Sequence, residues 1–159
     1  MNNCVFLIAY GLSYSEGKLK HYDISFVLGK RFLITIHKEP INSFQQLKKE
    51  RLRVTRAISG GVSHLLHTLL DVEVDIYIGE IEKLFQELNK IEDVIIKNPK
   101  EPEMRKLFAI RRTALSVKGI ISYQREILPE LFETDNLFIG KETRFYFRDL
   151  YDHLLIALD

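Results

Sequence analysis

The chain has 159 residues and a formal net charge of +1, with 46% hydrophobic and 28% charged residues. This is the composition of a globular domain that is long enough to bury a core. The small net charge gives no electrostatic reason for binding nucleic acid or a membrane surface. The longest apolar runs are about six residues, whereas a membrane-spanning helix needs roughly 20. A single cysteine, Cys4, excludes an internal disulfide framework and fits a reduced, cytoplasmic setting.

The first forty residues have the pattern of β-strands. Residues 5–10 form a continuous apolar run, which predicts a strand buried on both faces. Residues 11–21 are rich in Gly, Ser and Lys and predict a loop. Strands at 24–28 and 32–37 flank Gly29-Lys30, which predicts a two-residue hairpin turn. Three strands are few for a sheet, so we expect the chain to begin partway through a domain.

The chain after Pro40 is predicted to be helical. Ser43 is a candidate N-cap for a helix at about 43–57, which ends before Gly60-Gly61. A much longer helix, about 62–97, is predicted by an apolar seam whose spacing alternates between four and three. At 1.5 Å per residue this helix is roughly 54 Å long. Its seam consists of Leu70, Val74, Tyr77, Ile81, Leu84, Leu88, Ile91 and Ile95.

A second helix with an apolar seam, about 103–128, is predicted after a Pro-containing break at 98–102. Two long helices joined by a short loop predict an antiparallel hairpin. Residues 71–103 carry ten acids against four Lys, and residues 104–125 carry six bases and no acid. Ordinary cross-pairing on a solvated hairpin is the favoured interpretation, ahead of a dedicated acidic binding face.

The last nineteen residues predict a helix that has no stop signal. Phe147, Leu150, Leu154 and Leu158 form an apolar stripe at helical spacing. No Gly C-cap, following Pro or cationic last turn closes the helix. We therefore expect the chain to be part of a longer protein.

Two groups of side chains are candidate metal ligands. His64, His67 and Asp71 lie at i, i+3 and i+7 and can share a Zn²⁺ ion, although the neighbouring leucines favour packed histidines. Asp149 and Asp152, next to a histidine on the terminal helix, can present carboxylates to Mg²⁺, although such pairs are more often solvated. No nucleophile elbow, phosphate-binding glycine loop or HExxH motif is present, so we expect no enzyme activity.

Three segments together resemble the CorA family of magnesium and cobalt transporters. Residues 24–40 resemble its paired strands, and residues 62–75, VSHLLHTLLDVEVD, are similar to its A-D-Y-L-L-Y-x-L-I-D-x-x-V-D motif. Residues 146–153, YFRDLYDH, nearly match its Y-F-R-D-V-Y-D-H motif, which is the most specific part. Residues 124–128 also fall where the family has a similar run. The resemblance covers nearly the whole chain in one colinear register.

The resemblance implies an α+β fold. Residues 1–61 would be a partial β-sheet region, the N-terminal strands of an α/β/α domain. Residues 62–159 would be the long helical hairpin and the truncated stalk helix, packed with the sheet as one cytoplasmic domain. In the full-length protein five copies would surround one pore, with this part on the cytoplasmic side of the cell inner membrane.

The resemblance also implies site residues and ligands. Regulatory Mg²⁺, or Co²⁺ in its place, would bind between neighbouring cytoplasmic domains and hold the pore closed. The first Asp of the terminal motif maps to Asp149, the principal ligand, and the Asp of the L-I-D run maps to Asp71, a secondary one. His64 and His67 fall where the family tends to have tyrosines, which favours a shape-filling role.

The chain also departs from the family pattern. It lacks the Gly-Met-Asn pore signature, both transmembrane helices and the basic C-terminal tail. The acidic residue that faces Asp149 from the adjacent subunit would belong upstream of the first strand. We therefore expect that the chain alone transports no ions, forms a monomer or weak oligomer, and holds an incomplete intersubunit site. Two alternatives stay open, namely a zinc-transporting relative and a stand-alone coiled-coil adaptor.

Overall fold

The computed structural model describes residues 4–15, 18–97, 100–133 and 138–158, and it has the expected α+β architecture. Three strands come first, and helices follow to the end of the described chain. The strands are β1 Val5–Ser15, β2 Lys18–Leu28 and β3 Leu33–Ile36. The helices are α1 Asn42–Lys49, α2 Arg51–Ser59, α3 Val62–Lys97, α4 Glu101–Ile127, α5 Pro129–Phe132 and α6 Lys141–Leu158.

The sheet is antiparallel in the order β1-β2-β3. β1 and β2 pair over eleven residues each, so the loop predicted at 11–21 is wrong for the described residues, which continue both strands. The predicted two-residue turn is also wrong. Residues 29–32 form a four-residue connection in which the Gly29 N–H donates to the Phe32 carbonyl at 2.9 Å.

The buried side chains of β1 change face along the strand. Leu7 and Ala9 are buried on one face, whereas Leu12 and Tyr14 are buried on the other. The change occurs at Gly11, where an added Cβ would lie 1.9 Å from the Tyr22 ring. Two-stranded ribbons twist strongly, which allows the two halves to turn different faces towards the helices. The prediction that β1 is buried on both faces is wrong, since the Phe6 side chain is 59% exposed.

The helix predicted at 43–57 is two helices, because the backbone at Glu50 leaves the helical region (φ −92°, ψ 66°). The Ser43 N-cap is also wrong. Residue 41 precedes the first helical residue, and the buried Ser43 hydroxyl instead donates to the Glu73 carboxylate on α3. A contact between distant helices has therefore displaced the local capping interaction.

Helix α3 is the centre of the fold, and its observed bounds are those predicted. Gly61, with φ +90°, precedes its first residue. The sheet, α1, α2, α4 and α6 all pack against α3. The stripe predicted on α6 faces this core, where Phe147, Leu150 and Leu154 are fully buried.

The two ends of the α3–α4 hairpin differ in burial. The first half of the α3 seam is buried through Tyr77 and again at Leu84, whereas Leu88 and Ile91 are only half-buried. The core therefore lies at the end of the hairpin that carries the sheet and α6. No helix in the described ranges is long and apolar enough to cross a membrane.

Candidate divalent-cation site

The two predicted metal ligands lie on neighbouring helices. Asp71 is on α3 and Asp149 is on α6, and these helices pack against each other. Both carboxylates act electrostatically on the imidazole of His67, which is buried between the two helices. Burial is the main reason why the pKa of His67 is lowered, and the two carboxylates oppose that shift. The structure therefore brings Asp71 and Asp149 to one region.

Asp71 already forms an ion pair with a cationic side chain of the protein. Arg53 on α2 places its Nη2 2.6 Å from Oδ2 of Asp71 and 3.9 Å from Oδ2 of Asp75. Its other terminal nitrogen, Nη1, lies 3.4 Å from Oε2 of Glu50. A divalent ion at Asp71 would have to share or displace this guanidinium.

Asp149 is more accessible. Its side chain is 70% exposed, and its Oδ2 lies 3.9 Å from Nε2 of His153 one turn later. Within the described ranges, no Lys or Arg nitrogen lies within ion-pair distance of this carboxylate. Asp152, its i+3 neighbour, is also exposed. Asp149 thus presents hard oxygen atoms to solvent, the ligand type that Mg²⁺ prefers.

Asp75 interacts electrostatically with residues near both carboxylate positions, and it was not among the site residues predicted from the sequence. Its pKa is raised, first by burial and then by the Asp71 carboxylate, while Arg53 and His153 oppose the rise. Asp75 therefore lies within electrostatic reach of residues on both α2 and α6. Its i+4 spacing from Asp71 was visible in the sequence, but the approach of His153 depends on helix packing.

The two histidines pack with aromatic rings. The His64 and His67 rings are stacked with centroids 6.0 Å apart, and the Tyr146 ring lies 5.1 and 5.4 Å from them. Phe147 meets His67 edge-on at 5.5 Å. This arrangement is that of shape-filling side chains. In the part of the chain that the structure describes, no three His, Cys, Asp or Glu side chains are placed to hold a metal together.

Among the described residues, the site therefore offers a divalent ion one or two carboxylates and no cluster of three ligands. Mg²⁺ keeps several waters and is commonly bound through one or two carboxylates with ligands from another molecule. Asp149 fits this mode of binding. Asp71 fits it less well, because Arg53 already neutralises its charge.

Comparison with known proteins identifies the family. The family described as CorA-like Mg²⁺ transporter protein matches residues 1–159. The chain belongs to this family. The CorA family consists of transporters and not of enzymes, which confirms the prediction of no enzyme activity.

Two curated relatives agree with this assignment. The chain is 28% identical over 161 residues to the cobalt/magnesium transport protein CorA of Thermotoga maritima, covering 99% of the chain and 46% of that protein. It is 25% identical over 137 residues to the putative metal ion transporter YfjQ of Bacillus subtilis, covering 86% of the chain and 43% of that protein. This CorA-family chain thus spans less than half the length of these relatives.

Solved structures show the same fold. The soluble domain of CorA from Methanocaldococcus jannaschii superposes with a TM-score of 0.87 at 21% identity, covering 100% of this chain and 64% of that one. The complete CorA magnesium transporter from that organism gives a TM-score of 0.87 at 23% identity, covering 99% and 50%. The full-length CmaX protein gives 0.77 at 15% identity, covering 98% and 48%. The CorA soluble-domain fold is therefore present in this chain.

Proposed function

We propose that the chain is the cytoplasmic, Mg²⁺-sensing part of a CorA-like divalent cation transport protein. The match of the whole chain to the CorA family carries this proposal. Mg²⁺ would be both the transported ion and the regulatory ligand, and Co²⁺ would be accepted as well. The protein that contains the chain would lie in the cell inner membrane, with residues 1–159 on its cytoplasmic side.

Asp149 is the proposed principal ligand. Its carboxylate is exposed on α6 and faces no Lys or Arg within the described ranges. Like charges on adjacent subunits repel each other, and a divalent ion between them offsets that repulsion. In a pentamer of the full-length protein, Asp149 would therefore favour the closed arrangement only when an ion is bound. The ion shifts the equilibrium because it binds this arrangement more tightly than the open one.

Asp71 is the proposed secondary ligand. Its pairing with Arg53 means that its carboxylate is held in place before an ion arrives. The same pairing weakens its attraction for a cation, since a positive guanidinium and a divalent ion compete for one carboxylate. We therefore expect Asp71 to contribute less to Mg²⁺ affinity than Asp149.

Influx measurements on the full-length transporter in liposomes test the assignment of Asp149. Asp149→Asn should raise the internal Mg²⁺ concentration needed for half-inhibition of influx by at least about fivefold, or about 1 kcal/mol. Glu142→Gln removes another exposed carboxylate of α6 and should leave the inhibition curve unchanged. If Asp149→Asn gives the wild-type curve, Asp149 is not the sensing residue.

The oligomeric state of residues 1–159 is a separate prediction. Without the membrane-embedded part, we expect a monomer or a weak oligomer, because each carboxylate site would be completed only by a neighbouring subunit. Sedimentation velocity with and without Mg²⁺ measures this state. A stable pentamer of the isolated chain would contradict the expectation.

A further inference from the structure

A cavity that is open to solvent lies between the β1–β2 ribbon and α4. Its volume is about 880 Å³, within the range of small-molecule binding sites. None of the acidic residues of the candidate cation site lines it. The Tyr10 and Tyr123 rings meet edge-to-face at its border, with centroids 5.5 Å apart.

Three cationic side chains line the cavity, namely Lys18 and Lys20 from β2 and Arg112 from α4. No Asp or Glu of the described ranges is among its lining residues. Within the described ranges, none of these three cations lies within ion-pair distance of a carboxylate. Like charges that share a cavity repel one another, and an anion bound among them would remove that repulsion.

Hydroxyl groups of α4 add hydrogen-bonding capacity beside these cations. Thr113 and Ser116 line the cavity, and each hydroxyl donates to the carbonyl four residues earlier at 3.1 Å. A hydroxyl is free to rotate, so it can turn from its own helix towards a ligand oxygen. Lys, Arg and hydroxyl donors are the groups that proteins use to bind phosphate oxygens.

Gly119 keeps one wall of the cavity open. It lies within α4 and lines the cavity, and a Cβ added to it would meet no atom within 4 Å. A larger side chain at this position would extend into the cavity. Gly79 on α3 is a matched position, since it is also helical and has the same open space, but it lies outside the cavity.

We propose that this cavity binds a small molecule carrying two or more phosphate groups. Each phosphate monoester carries nearly two negative charges at neutral pH, so such a ligand matches the three cations of the site. Either a nucleotide or an inorganic polyphosphate would supply this chemistry. The proposal is independent of the divalent-cation site, because none of the cavity residues belongs to that site.

Calorimetric titration of the chain, without divalent ions, tests the proposal with ATP, tripolyphosphate and citrate. ATP or tripolyphosphate should bind, and Arg112→Glu should weaken that binding by at least about tenfold. Arg111→Glu makes the same charge change one residue earlier, outside the cavity lining, and should weaken it much less. ATP binding that exceeds tripolyphosphate binding and falls in Tyr123→Leu would identify a nucleotide, whereas equal binding would identify a polyphosphate.

Each of three results of this titration would overturn the proposal. These are no binding of ATP or tripolyphosphate at millimolar concentration, equal weakening by Arg111→Glu and Arg112→Glu, and citrate binding as tight as tripolyphosphate. If a charge reversal unfolds the protein, Gly119→Leu provides a second test of the same cavity without a change of charge. It should block binding while helical circular dichroism stays unchanged, whereas Gly79→Leu should bind normally. Wild-type binding by Gly119→Leu would place the ligand outside this cavity.

Discussion

Arg53 on α2 holds Asp71 on α3 through an ion pair of 2.6 Å between Nη2 and Oδ2. Both side chains are about a quarter to a third exposed, at 31% and 26%. The pair joins α2 to α3 within residues 62–75, the segment that resembles a CorA-family motif. Its energetic contribution is limited by solvent screening, as for other partly exposed ion pairs.

Arg53→Gln should lower the free energy of unfolding by about 0.5–1 kcal/mol, because it removes a partly exposed ion pair that joins two helices. Urea unfolding followed by circular dichroism measures this change. Arg105→Gln is the matched control, since its pair with Glu101 lies on one helix and both side chains are at least 75% exposed. An equal loss in both variants would show that the α2–α3 pair has no special role.

Glu73 gives the stability a dependence on pH. Its carboxyl is buried and accepts the Ser43 hydroxyl, and burial raises its pKa from 4.5 to about 7. The folded state therefore holds the proton more tightly than the unfolded chain. The resulting stabilisation is complete below about pH 4.5 and is lost as the pH rises towards and through 7.

The variant Glu73→Gln should remove this part of the pH dependence, which corresponds to about 3 kcal/mol at most. Unfolding free energies measured in urea from pH 4.5 to 8 would show it as a flatter profile than that of the wild type. Glu82→Gln, which changes an exposed carboxylate of the same helix, should keep the wild-type slope. A Glu73→Gln profile parallel to the wild-type one would contradict the assignment.

Gly61 and Gly79 should respond in opposite directions to substitution by Ala. Gly61 has φ +90°, and an L-residue there costs about 1–2 kcal/mol. Gly79 is inside α3 with open space at the Cβ position, so Ala should stabilise the helix by about 0.5–1 kcal/mol. Thermal unfolding of the two variants measures both effects. A stabilised Gly61→Ala variant would mean that residue 61 does not need its left-handed conformation.

The packing of the histidines makes a prediction about zinc. The His64 and His67 rings stack on each other, and the Tyr146 ring packs against both at a tilted angle. A tenfold excess of Zn²⁺ should therefore change the melting temperature of wild type and His67→Phe by the same amount. A large Zn²⁺ stabilisation that disappears in His67→Phe would instead favour the zinc-transporting alternative.

The candidate site shows which relationships a sequence can reveal. The match to the CorA motifs selected Asp71 and Asp149, and the structure brings both within electrostatic reach of His67. Arg53 was missed, because nothing in the spacing of residues 53 and 71 indicates that α2 folds back along α3. The division of the chain at residue 61 and the role of the two carboxylates in metal binding stay predictions.

The sequence by itself determined the bounds of α3 and the buried stripe of α6. Both follow from apolar residues at helical spacing, because such spacing marks the buried face of a helix. Only the tertiary structure decided the change of face at Gly11, the break at Glu50 and the bond from Ser43 to Glu73. These depend on where one element meets another, and contacts between distant parts of the chain leave no periodic pattern in the sequence. The same reason explains the cavity between β2 and α4, whose cations come from separate segments and meet only in the folded chain.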